Sequence, residues 1–107
     1  MKDQYPSEKF LVATGALATS PLPLQERIAN AFACGLYLLL VHSSGLSEDT
    51  KRKLQEYEAA WKAVDDAAGE GTIKVWASRL SDDEATEIAT WIVDTAFELE
   101  RQLWSND

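Results

Sequence analysis

The two residue types that most often carry chemistry are nearly missing: the 107 residues include one cysteine, Cys34, and one histidine, His42. One cysteine excludes an intramolecular disulfide framework. Within the apolar stretch around it, a free thiol is expected to behave as a small hydrophobe, which suits a reducing compartment. A structural zinc site draws on several Cys or His ligands, so none is expected. Eight residues separate Cys34 from His42. On a helix that is about 12 Å of rise, beyond the reach of a thiol–imidazole pair. His42 reads instead as a residue near a helix C-terminus, where the dipole favours a cationic imidazole.

Cations are also scarce. Ten Lys and Arg face eighteen Asp and Glu, for a formal net charge of −8. Such a chain repels phosphate backbones and anionic membranes, so neither direct nucleic-acid binding nor membrane binding is expected. The uncharged run Ile28–Val41 spans 14 residues, short of the about 20 that a spanning helix needs. Met1-Lys2-Asp3-Gln4-Tyr5-Pro6 has no basic segment leading into an apolar core and does not read as a signal peptide. These features predict a soluble, cytoplasmic chain.

No recognisable active site emerges. Asp65-Asp66 and Asp82-Asp83-Glu84 lack the spaced ligands and glycine of a calcium loop. Gly69-Glu70-Gly71-Thr72 has no Gly-Lys-Ser/Thr, and Glu70 would repel phosphate, so it reads as a turn. The serines lie in no nucleophile-elbow context. The expectation is a non-enzyme with no catalytic, cofactor or metal residues.

What is present is globular: 46% of residues are hydrophobic, 26% are charged and four are Trp. The length predicts one domain over residues 1–107. No segment alternates with period two, whereas apolar residues recur every three or four positions. Punctuation gives a compact all-α bundle. Its three long helices are predicted over about 24–42, 48–68 and 82–103, and its two short ones over about 8–15 and 73–79. Ser7 is the expected cap of the first, Ser47 of the third, Thr72 of the fourth and Ser81 of the last. In the second, Gly35 is expected where another helix crosses closely, and Ser43-Ser44-Gly45 is the expected stop. Gly69 is expected to end the third.

The last helix carries the strongest pattern. Ser81 with Glu84 forms a capping-box signature. Ala85, Ala89, Ile92, Ala96, Leu99 and Leu103 share one face of a 3.6-residue wheel. Asp83, Glu87, Asp94 and Glu98 fall on the other. Residues 69–107 contain nine acids and three bases, for −6, while residues 1–45 balance. This acidic row, with Trp91 as an aromatic anchor beside it, is the predicted binding surface for a protein partner with a basic surface. Four- and seven-residue steps space the carboxylates by about 6 and 10 Å along the axis, comparable with phosphates on a strand. The predicted action is stoichiometric inhibition or modulation of a basic, nucleic-acid-handling complex. An anti-CRISPR type of inhibitor, carried by a phage or mobile element, is the most concrete case.

Two alternatives accompany it. Val93, Phe97 and Trp104 project to one side of the core stripe and offer a homodimer or second contact face, although for Phe97 a place in the core is the better expectation. Lys51-Arg52-Lys53 could pair with the acids of a second copy or of a partner. The other alternative is a small-molecule sensor or minor enzyme with a pocket beside Gly35 and Tyr37.

Overall fold

The computed structural model of the chain describes residues 4–41, 45–65 and 71–105, and all the regular structure among them is helical. The elements are α1 (Tyr5–Thr19), α2 (Leu24–Cys34), a 3-10 segment (Leu36–Leu40), α3 (Glu48–Lys62), α4 (Thr72–Ser78) and α5 (Asp82–Leu103). Helix α2 sits among the others and packs on α1, α4 and α5, while α3 packs on α4 and on the 3-10 segment.

Helix α1 is longer than expected at both ends. Pro6 falls in its first turn, where a missing N–H costs nothing, and Gly15 is carried inside the helix. Ser7 is not its cap. It is buried one turn in, and its hydroxyl donates to Glu100 Oε2 of α5 at 2.8 Å. The Arg27 guanidinium donates to the Leu17 carbonyl at 2.8 Å, and Gln25 reaches Leu80 O and Asp82 Oδ1. The end of α1 and the start of α5 thus meet near the start of α2, so α1 and α5 run antiparallel.

The expected continuous spine over 24–42 is interrupted. Helix α2 stops at Cys34, and Gly35 leads into the tighter 3-10 segment. The run is apolar nearly all round, so an unbroken α-helix would expose part of it. In a 3-10 segment, residues i and i+3 line up. Leu36 and Leu39 are both fully buried as a result, leaving Tyr37 and Val41 outside. Helix α1 passes beside Gly35, but at ordinary contact distance, so the crossing does not itself require a glycine. A Cβ there would lie 3.5 Å from the Lys9 carbonyl of α1.

Helix α3 starts at its predicted cap, with Thr50 N donating to Ser47 Oγ at 3.2 Å. It ends at Lys62 rather than near residue 68. Val64 turns in to pack against the core, and Asp65 carries the wrong sign for the negative end of a helix dipole. Helix α4 begins at Gly71, whose φ of 97° favours glycine, and not at a Thr72 side-chain cap. The expected roles of His42, Ser43-Ser44 and Gly69-Glu70 lie outside the described residues.

The core is aromatic at its centre. Phe32 of α2 is fully buried and meets Tyr57, Trp61 and Trp76 edge-on, with centroids 5.4, 5.4 and 5.5 Å away. Such T-shaped pairs add about 0.5–1.5 kcal/mol each beyond area burial. Phe10, Ile28, Leu54 and Ile92 complete this centre. Among the described residues, no helix is long and apolar enough to cross a membrane.

Candidate functional site

Helix α5 is one unbroken rod of 22 residues over 82–103, as the periodicity predicted. Its start is fixed by a complete capping box: Glu84 N donates to Ser81 Oγ at 3.1 Å, and Ser81 N donates to Glu84 Oε1 at 2.9 Å. The backbone bond from Ser81, and then its side chain, hold the Glu84 carboxyl below the usual carboxylate range. Ala85, Ile88, Ile92, Ala96 and Leu99 are buried, whereas Ala89 and Leu103 are only half-buried. Ile88 belongs to the packed face even though the row beginning at Ala85 passes it by.

The opposite face is acidic and exposed. Asp83, Glu87, Asp94 and Glu98 are all at the surface. They are not equivalent. The Arg101 guanidinium donates to both Glu98 carboxylate oxygens at 2.6 Å, and Gln102 adds a bond at 3.2 Å. The Arg101 hydrogen bond holds the Glu98 carboxyl below its ordinary range and pushes the guanidinium up. Among the described residues, Glu98 of this row has an ion pair, and Asp83, Glu87 and Asp94 have none.

Trp91, the expected anchor, is half-buried and engaged within the chain. It meets Phe10 of α1 at 5.5 Å and Tyr57 of α3 at 5.4 Å, both edge-on. It is a wedge among three helices. Phe97 reverses the expectation in the other direction. It is 71% exposed, and Trp104 is 77% exposed, while Val93 is half-buried against the core. Phe97 lies outside because α1 stands over the Ala96 side of α5, pinned there by the Ser7–Glu100 bond. Glu100 also accepts from Trp104 Nε1 at 3.0 Å, and these two bonds, Trp104's first, hold its carboxyl below the usual range. One turn beyond Ser7 is Leu11, and one turn back from Glu100 is Phe97. The antiparallel register sets both on the same side, and Leu11 is likewise exposed.

The basic trio on α3 is not an open counter-patch. Lys51 pairs with Glu48 at 3.4 Å and Arg52 with Asp49 at 2.8 Å. The Lys53 ammonium sits 5.6 Å from the Tyr57 ring centroid, within cation–π range.

Grooves lined by described residues include three on the sides of α2, α4 and α5. The largest of these three, about 520 Å³, runs between α2 and α4 past Ala29, Ala33 and Ile73. The other two line the α3 side of α5. One of about 300 Å³ includes Tyr57, Trp76 and Glu87, and one of about 290 Å³ includes Thr50, Asp94 and Glu98. Glu87, Asp94 and Glu98 thus stand on one wall of a valley facing α3, with the Tyr57–Trp91 contact across its middle. Burial first, then the charges of Glu87 and Glu56, push the Tyr57 phenol up to about 12. None of these grooves is lined by Gly35 or Tyr37.

No sequence pattern brings Tyr57, Glu56 and Trp76 together, because their juxtaposition depends on how α3 meets α4. The local signal was the Lys53–Tyr57 spacing of one helical turn. Cys34 is exposed at the end of α2 rather than packed as a small hydrophobe. Among the described residues, no group of three or more His, Cys, Asp or Glu side chains is gathered to hold a metal ion. The chain matches no protein-family model, no curated protein and no solved structure.

Proposed function

We propose that this chain acts by contact, docking the outward side of α5 on a protein with a basic surface and modulating or inhibiting that protein by occupying it. The observation that carries the reading is the composition of that side. Two large aromatics, Phe97 and Trp104, stand exposed next to a row of exposed carboxylates, Asp83, Glu87 and Asp94. A lone exposed apolar residue is ordinary, but aromatics grouped on one helix face and edged by charge have the make-up of an interface. The three acids follow the rod at rises of about 6 and 10 Å. A channel built for a phosphate backbone would accept such a row, which makes a nucleic-acid-handling complex such as a CRISPR effector the most concrete partner.

Capture by the immobilised chain tests this, using wild type, the triple variant Asp83→Asn/Glu87→Gln/Asp94→Asn, and Phe97→Ser/Trp104→Ser. All five positions are exposed, so the substitutions should change stability little, Trp104→Ser the most because it removes the bond to Glu100, and a thermal melt of each variant checks this. The expected result is a basic protein held by wild type at low salt and lost at high salt and from both variants. Equal retention by all three proteins contradicts the proposal.

The exposure of Phe97 and Trp104 also favours a second reading, a homodimer packed through Val93, Phe97 and Trp104. Pairing this face on itself brings two acidic rows close together, which the net charge of −8 opposes. Light scattering at high micromolar concentration decides it, and a monomer removes the dimer.

A further inference from the structure

We propose that the cleft between α3 and the α4–α5 corner receives an arginine side chain from the basic partner. This deepens the docking reading and rests on it. The cleft has about 300 Å³ of room, at the small end of sizes that hold a ligand and enough for one side chain. Tyr57 and Trp76, whose rings lie 5.9 Å apart, contribute to its lining. Glu56 of α3 and Glu84 and Glu87 of α5 stand around it, and Lys53 is the one cation on its lining.

Aromatic faces bind cations through their quadrupole, arginine more often than lysine. Carboxylates around a guanidinium add charge-assisted, fork-shaped hydrogen bonds that an ammonium cannot match. The chain already displays the first half of this chemistry, because its own Lys53 ammonium lies over the Tyr57 ring at 5.6 Å. One lysine against three carboxylates leaves the cleft anionic. Burial first, and then the charges of Glu87 and Glu56, raise the pKa of the Tyr57 phenol at the cleft. Glu87 belongs to the cleft and to the outward acidic row alike, so a segment lying along α5 passes the cleft mouth. Lys53 is a placeholder that an incoming guanidinium displaces.

The test is an NMR titration of the full chain with a tetra-arginine peptide and with its citrulline counterpart, which keeps the shape and drops the charge. The arginine peptide should produce saturable shifts of the Tyr57 ring and Trp76 indole signals, and the citrulline peptide none. Tyr57→Leu and Glu87→Gln should each weaken binding about fivefold. Lys53→Gln, which removes the internal competitor, should tighten it about threefold. Glu56→Gln, on an exposed position, supplies a second loss if Tyr57→Leu does not fold. Equal shifts with citrulline, an unchanged affinity in Glu87→Gln and Glu56→Gln, or no response at Tyr57 and Trp76 each overturn the cleft. Shifts confined to Asp94, Phe97 and Glu98 overturn it while leaving the docking face intact. Shifts at the cleft, with a basic partner retained equally by Asp83→Asn/Asp94→Asn and by Phe97→Ser/Trp104→Ser, support the cleft and sink the wider face.

Discussion

Phe32 and Tyr57 show how one side chain can serve the core and the surface together. Phe32 is fully buried against three rings from α3 and α4. Phe32→Ala should cost about 3–5 kcal/mol, much of a typical domain's about 5–15 kcal/mol, and a urea titration measures it. Tyr57 touches Phe32 on one side and lines the acid-walled cleft on the other. Its phenol titrates near 12 in the folded chain, against an ordinary 10.0. The unfolded chain thus loses this proton at lower pH than the folded one. The associated stability is complete below pH 10 and disappears as pH rises toward 12. Phenolate absorbance should show one tyrosine titrating late, and Tyr57→Phe should abolish that step and flatten the alkaline loss of stability. A Tyr57 phenol that titrates at its ordinary value would contradict first its burial and then the placement of Glu87 and Glu56 beside it.

Among the elements, legibility followed the strength of the local pattern. Helix α5 was readable to the residue because its cap, its first-turn acids and its apolar spacing agree. The break after Cys34 was not readable, because Ile28–Val41 is apolar in nearly every direction and periodicity cannot say where such a run bends. The end of α3 was overestimated for a related reason: Val64 continues the apolar spacing, yet it reaches the core from a turn. Helix α1 was underestimated because Gly15 looked like a stop. Gly15 is inside that helix, and a Cβ built there meets nothing within 4 Å. Gly15→Ala should therefore stabilise the chain by about 0.5–1 kcal/mol through helix propensity and a less flexible unfolded state. A melting temperature that falls would mean that α1 does not run through this position.

At the scale of the whole molecule, the charge asymmetry and the aromatic exposure meet on one helix. Of the proposed contact residues, the acids were legible, since spacing alone turns Asp83, Glu87, Asp94 and Glu98 outward. The pairing of Glu98 with Arg101 depends on rotamers that a wheel does not specify. The aromatics were not legible, because burial of Trp91 and exposure of Phe97 depend on where α1 and α3 lie against α5. Salt screens exposed charges within about 8–10 Å at ordinary ionic strength, so a contact steered by these acids must weaken as salt rises. The decisive measurement is the Kd of the captured partner across a salt series, for wild type and for Asp83→Asn/Glu87→Gln/Asp94→Asn. The account predicts that the variant associates about tenfold or more slowly at low salt and that its Kd responds far less to salt. Two coincident salt curves would contradict it.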